Sequence, residues 1–324
     1  MHSTDEQKRV SYSHGTNAAS EFAIVKISIR LFALHEGKRV YIEHLRIPVG
    51  AGALHAERVG RGGKPIVFLH GFGTCAFLWR HVLPQLAASG MTALAIDLLG
   101  YGESDRPLEG GYRIPAQAEH VDLALTALRL PKAVIVGQDV GALVALQLAA
   151  RRPERVDRLV LINPPNPADL PGSTVRALQR ASARIALGAH GLFGAGPLLT
   201  PMLRESVADE AVMTDVLAAR YLAPFVGSEG VDHLLMLARS LEIEEGDEIQ
   251  LNAVRAPTLL LHGLRDDSID ATMMGSLAST LSGVRNLRMH AFESAGRLVA
   301  EDAPNELAAL IAEWANVSWA DSVG

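Results

Sequence analysis

The 324-residue chain contains a single cysteine, Cys75. An intrachain disulfide is therefore excluded, and nothing ties the chain to an oxidising compartment. Aromatic residues make up only 5% of the chain, and its three tryptophans are Trp79, Trp314 and Trp319. No apolar run reaches the roughly 20 residues needed to cross a bilayer. The opening stretch, MHSTDEQKRVSYSHGTNAAS, is polar and lacks the apolar core of a signal peptide. There is no basic excess either. The net charge is -6, which favours neither nucleic acid nor an anionic membrane surface. Arg151-Arg152, the one basic run, ends a helical pattern and reads as solvated surface. No His/Cys/carboxylate spacing suggests a metal site. No G-x-G-x-x-G follows a strand and no P-loop is present, so no cofactor is expected. These absences predict a cytoplasmic protein with a small-molecule substrate or ligand, no nucleic-acid or membrane partner, and an open oligomeric state. What remains is ordinary globular material, 48% hydrophobic and 20% charged. That suffices for one large α/β domain with an insertion, or for two domains.

Residues 1–20 read as a mobile tail. Phe22-Ala23-Ile24-Val25 and Val40-Tyr41-Ile42 look like opening strands of unknown register. From Pro65 the pattern becomes regular. Short apolar runs at Ile66–Leu69, Thr92–Ile96, Ala133–Val136 and Arg158–Ile162 alternate with helical stretches. Such runs suit parallel strands covered on both faces, in a doubly wound, mostly parallel α/β sheet. The alternation stops at Asn163-Pro164-Pro165. Residues 166–245 are mostly helical, with breaks at Gly188, Gly191, Gly194-Ala195-Gly196 and Gly227. Strand patterns resume at Pro257–Leu261 and Leu287–Met289, and a last helix runs from about Asn305 to Trp314. The expected organisation is a core of residues 21–165 and 246–324, interrupted by a helical lid at 166–245. A connection this long rarely lacks structure of its own.

The sharpest chemical signal is Gly137-Gln138-Asp139-Val140-Gly141, between a buried strand and a helix. Two glycines permit a tight turn that presents the middle side chain, and the following helix offers backbone N–H groups to negative charge. The plainer alternative is that Asp139 simply caps the helix. Context weighs against it: His70-Gly71 ends one strand, DLLGYGESDRP follows the next, and Arg152–Val156 precedes Leu159–Ile162. This ordered series resembles the α/β-hydrolase superfamily over roughly 45–165 and 255–316. Asp at the elbow, with Phe77-Leu78-Trp79-Arg80 after the His70-Gly71 turn, resembles its haloalkane dehalogenase and epoxide hydrolase branch. The resemblance implies that Asp139 is a nucleophile forming an ester, with the backbone N–H groups of Phe72 and Val140 as oxyanion donors. Asp266 would be the acid that orients a histidine, although Asp266 and Asp267 compete for the inward position.

The departure lies at the base. In Glu293-Ser294-Ala295-Gly296-Arg297, before the acidic Glu301-Asp302-Ala303-Pro304, Arg297 fills the family's histidine slot. Arginine stays protonated and cannot act as a general base. It can pair with Asp139 and Asp266, or point to solvent while a substitute histidine acts, His290 and His262 being nearest in sequence. Other family marks are missing too. Val140 follows the nucleophile where dehalogenases place a halide-binding Trp. Phe72-Gly73 stands in place of Asn-Pro, and the lid segment contains only Tyr221 where epoxide hydrolases use two tyrosines. His70 reads as a turn-stabilising residue and Cys75 as a small residue at a helix start. Three readings stay open: an atypical Asp-nucleophile hydrolase acting on a small apolar substrate, a non-hydrolytic lyase or cyclase using the Asp139–Arg297 pair, and a ligand-binding pseudo-hydrolase.

Overall fold

The computed structural model describes residues 25–35, 38–109, 111–180, 196–269 and 271–318. The expected tail, Phe22–Ile24 and the breaks at Gly188, Gly191 and Gly194-Ala195 lie outside the described residues.

Strands β1 (Lys26–His35), β2 (Lys38–Pro48) and β3 (Ala53–Val59) form an antiparallel meander. β3 then pairs antiparallel with β5 (Thr92–Ile96). From there the sheet is parallel through β4 (Pro65–Leu69), β6 (Ala133–Gln138), β7 (Val156–Ile162), β8 (Thr258–Gly263) and β9 (Leu287–Phe292). The order is β1-β2-β3-β5-β4-β6-β7-β8-β9. The four apolar runs from Ile66 to Ile162 thus form adjacent parallel strands. β6 is buried at every position and β4 at all but its first, as strands covered on both faces must be.

Helices α1 (Leu83–Ala88), α2 (Ile114–Ala127) and α3 (Val140–Arg151) cross between these strands. α3 is buried from Val140 to Ala149, so it lacks the polar face of a surface helix. Between β7 and β8 come α4 (Ser173–Gln179), α5 (Gly196–Arg204), α6 (Asp215–Leu222) and α7 (Gly227–Arg239). The C-terminal part adds α8 (Ala271–Thr280), α9 (Val299–Asp302) and α10 (Pro304–Asn316). Among the described residues no helix is long and apolar enough to cross a membrane.

Strand order reverses at β4, because the chain passes from β4 outward to β5 and then returns to β6 on the opposite side. At such a point the loops leaving the carboxyl ends of β4 and β6 diverge to opposite faces and open a crevice. Those two loops carry Phe72 and Asp139.

Candidate active site

Asp139 sits between β6 and α3 with φ 52° and ψ −122° and makes no side-chain cap hydrogen bond. The N-cap reading therefore fails. The backbone is held in a left-handed conformation that a non-glycine residue adopts only under constraint. The constraint is visible: Asp139 N–H donates to the Ile162 carbonyl at 3.0 Å. The flanking glycines are needed for contact. A Cβ on Gly141 would lie 2.4 Å from the Leu69 carbonyl oxygen, and one on Gly137 would lie 2.3 Å from that of Gly141.

The strained turn aims the carboxylate toward the β4 loop, where Phe72 N–H donates to Asp139 Oδ2 at 3.0 Å. The Val140 N–H also stabilises the carboxylate. Burial nevertheless raises the Asp139 pKa above the ordinary range. Arg297 and the two amides oppose that rise, and the negative charge of Asp266 adds to it.

Arg297 and Asp266 arrive from the loops after β9 and β8. Asp266 is buried and Asp267 exposed, which settles which carboxylate points inward. Asp266 Oδ1 accepts from the Ser268 N–H at 3.0 Å and from the Ser268 hydroxyl. Its Oδ2 stands 3.5 Å from Arg297 Nε, and Arg297 Nη2 donates to Ser268 Oγ. The Arg297 carbonyl accepts from Gln138 Nε2 and Asn163 Nδ2, each at 3.1 Å. Arg297 is thus turned inward, not toward solvent.

Asp139 and Arg297 line one cavity of about 400 Å³. Core residues such as Phe72 and Ile269 form part of the wall, and Leu199, Met202, Leu203 and Leu222 of the inserted helices form another part. The lining mixes aliphatic and polar residues, with Asp139, Arg176, Glu205 and Arg297 as its charged members.

A family model described as the alpha/beta hydrolase fold matches residues 64–195. A haloalkane dehalogenase of Mesorhizobium japonicum is 32% identical over 219 residues, which are 65% of this chain and 68% of that protein. The chain belongs to the α/β-hydrolase fold family. It is similar to the bifunctional epoxide hydrolase 2 of Rattus norvegicus, at 34% identity over 143 residues, but these cover 42% of the chain and only 26% of that protein. Wild-type Cfl2 from Burkholderia cenocepacia has a similar crystal structure, with a TM-score of 0.72 at 26% identity, covering 84% of this chain and 95% of that one. The chain sits in the dehalogenase- and epoxide hydrolase-like branch of the family.

Within that family frame, the substitute histidines must be corrected. His262 is buried on β8 with Nε2 2.8 Å from the Ile269 carbonyl oxygen, an acceptor that demands a proton on that nitrogen. His290 lies on the edge strand β9 and turns to Glu306, 3.1 Å away. Neither lines the cavity, and among the described residues no other histidine does. His70 Nδ1 lies 2.8 Å from the Gly71 carbonyl oxygen, and its Nε2 accepts from Leu98 N–H at 3.1 Å. Both ring nitrogens are occupied and burial lowers its pKa, so it is a neutral strut between two loops. Tyr221 is withdrawn as well: its hydroxyl donates to buried Glu301, which also forms a two-pronged pair with Arg80 at 2.7 Å.

Sequence reasoning missed three supports, Gln138, Asn163 and Ser268. Gln138 and Asn163 sit at the carboxyl ends of adjacent strands, where buried amides have few uses besides holding loops. Ser268 stands two residues after Asp266, the spacing of a local side-chain-to-backbone turn.

Proposed function

We propose that the protein is an Asp-nucleophile enzyme of the hydrolase type, acting on a small, largely apolar electrophile and poorly equipped to complete hydrolysis. The observation that carries this reading is the asymmetric hold on Asp139: Phe72 N–H binds Oδ2 at 3.0 Å in a cavity with Leu199, Leu203 and Leu222 in its wall. With Oδ2 held, Oδ1 attacks carbon, the bond from carbon to the leaving group breaks, and that group departs with the electron pair. Oδ2 becomes the ester carbonyl oxygen, already in a pocket of donors. The Arg297 guanidinium can steady an anionic leaving group but cannot deprotonate water. The withdrawal of Tyr221 leaves no lid tyrosine to protonate an epoxide oxygen, which favours groups stable as anions, such as halide.

The second reading, a non-hydrolytic lyase or cyclase or a ligand-binding protein, is favoured by the lack of a histidine among the cavity's described lining residues. Intact-protein mass spectrometry after incubation with primary alkyl bromides and epoxides separates the two. The expected outcome is a stoichiometric alkyl adduct on Asp139, absent from Asp139→Asn. Saturable binding of such compounds without any adduct or turnover would move the protein to the second reading.

A further inference from the structure

A second pocket of about 250 Å³ lies against β3, between the loop after β5 and residues 220–224 of the inserted segment. No residue lines both this pocket and the Asp139 cavity. Its wall includes His55 and Glu57 of β3 and Asp97 from the loop after β5, and His44 of β2, outside that wall, adjoins His55. In the β2–β3 pairing His44 is opposite Glu57 and Arg46 opposite His55, so His44, His55 and Glu57 share one face. Asp97, immediately after β5, accepts from His55 Nδ1 at 2.7 Å. That bond places a proton on Nδ1 and leaves Nε2 facing away from Asp97. His44 Nδ1 stands 3.0 Å from that Nε2, with the two rings stacked at 5.3 Å. The Glu57 carboxylate belongs to the same group: one ligand atom from each of the three residues lies within 4.8 Å of the others.

We infer that His44, His55 and Glu57 form a binding site for a divalent transition-metal ion. The geometry suits one. Two imidazole nitrogens each about 2.0–2.1 Å from a tetrahedral zinc ion stand about 3.3–3.4 Å apart, so His44 Nδ1 and His55 Nε2, in hydrogen-bond contact at 3.0 Å, need to part only slightly to admit one. The ligand chemistry, two imidazoles and a carboxylate, suits Zn²⁺, Ni²⁺ or Cu²⁺. Asp97 behind His55 supplies the outer carboxylate that orients a metal-bound histidine. Glu57 is largely buried, with 8% of its surface exposed, and it lines the pocket wall. Glu103 Oε2, 3.9 Å from His55 Nε2, is placed to become a fourth ligand. The other charges facing the pocket, Arg106 and Arg220, have their own partners: Arg106 donates to the Pro224 carbonyl at 2.7 Å, and Arg220 lies 3.9 Å from Glu103. A bound ion would tie the β2–β3 hairpin to the loop after β5, beneath the inserted helices.

The test is titration of untagged, chelator-treated full chain with Zn²⁺ in a calorimeter, and with Co²⁺ by visible absorption, beside a thermal melt at each metal ratio. His44→Ala and Glu57→Gln are the variants, since His55 also holds Asp97 and its loss can unfold the loop. The expected result is one equivalent of tightly bound Zn²⁺, a tetrahedral Co²⁺ spectrum and a raised melting temperature. Each variant should lose at least about tenfold in affinity, and Asp139→Asn should lose nothing. The absence of saturable binding would overturn the assignment. So would binding that both variants retain, because the ligands would then be histidines elsewhere in the chain.

Discussion

Asp97 and Asp139 each follow a parallel strand, and those strands, β5 and β6, flank β4 on its two sides. Their environments drive them in opposite directions. Asp97 is deeply buried yet saturated: it accepts from His55 Nδ1 at 2.7 Å, Ala76 N–H at 2.6 Å and Glu103 N–H at 2.9 Å. Burial alone would raise its pKa, but the His55 hydrogen bond and charge outweigh burial and lower it. Asp139 has the Phe72 and Val140 amides and a more distant Arg297, and there burial wins and the pKa rises. Asp97 has no positive φ, whereas Asp139 is strained at φ 52°. One carboxylate organises a loop; the other is held under-satisfied at a cavity.

The contrast also lies in their partners, since Asp97 has a histidine and Asp139 faces an arginine. Arg297→His removes that difference and carries the largest expected effect. A base near the ester is worth about 10²- to 10⁴-fold, and Asp266 already stands where it would orient the new ring. Steady-state halide or alcohol release should rise by that order, with the adduct no longer accumulating. Unchanged turnover would mean that the water site itself is missing.

Asp97→Asn attacks the other side of the comparison. Removing one member of a buried pair typically costs about 3–5 kcal/mol, measured here as a fall in the urea midpoint. The lowered Asp97 pKa also fixes the pH dependence. Its stabilisation is present above the unfolded aspartate value, about 3.9, and is lost as pH falls through the lower folded value. Against burial, Asp97 also raises the His55 pKa. That contribution is present below the unfolded histidine value, about 6.5, and is lost as pH rises through the higher folded value. The difference between wild type and Asp97→Asn should therefore be largest between about pH 4 and 6.5 and shrink on either side. A variant as stable as wild type would show that the loop does not depend on this pair.

The rate of adduct formation probes Asp139 directly. Attack needs the carboxylate ionised, and its folded pKa is raised, so the rate should fall as pH drops through a value above about 4. A rate flat across that range would mean that Asp139 is as acidic as an exposed aspartate, and that the cavity wets it fully.

Local pattern and distant pairing divide what the sequence reveals. Ile66–Leu69, Thr92–Ile96 and Ala133–Val136 were legible as buried parallel strands because continuous apolar runs of that length have few other uses. Asp139 was legible at a strand-to-helix turn through its two glycines. The partners were not. His262 and His290 sat in strand patterns whose facing direction depends on register, and the structure commits them to Ile269 and Glu306. Tyr221 looked available until Glu301, 80 residues away, took its hydroxyl. The His44, His55 and Glu57 group exists only through the pairing of β2 with β3, so a search for metal-ligand spacing along the chain passes over it. The role of Asp97 was hidden likewise, because His55 lies 42 residues before it.

The smallest effect expected is the most discriminating, because it has the opposite sign to that of Asp97→Asn. A group whose folded pKa is raised binds more protons in the native state than in the unfolded chain between the two pKa values. Stability is then lost as pH rises through that window, and above it the native state carries an unfavourable buried charge. Asp139→Asn removes the charge while its amide oxygen can still accept from Phe72 N–H. The variant should be more stable than wild type at neutral pH, by on the order of 1 kcal/mol or a rise of roughly 2–4 °C in melting temperature. The gain should vanish below about pH 4, where the wild-type carboxyl is protonated in both states. One offset limits its size: the amide nitrogen loses the attraction of Arg297. Melting curves of both proteins from pH 3 to pH 8 would decide the matter. A variant less stable than wild type throughout would mean that the pairing of Asp139 with Arg297 outweighs burial, and that the nucleophile position is a structural ion pair like that of Asp97.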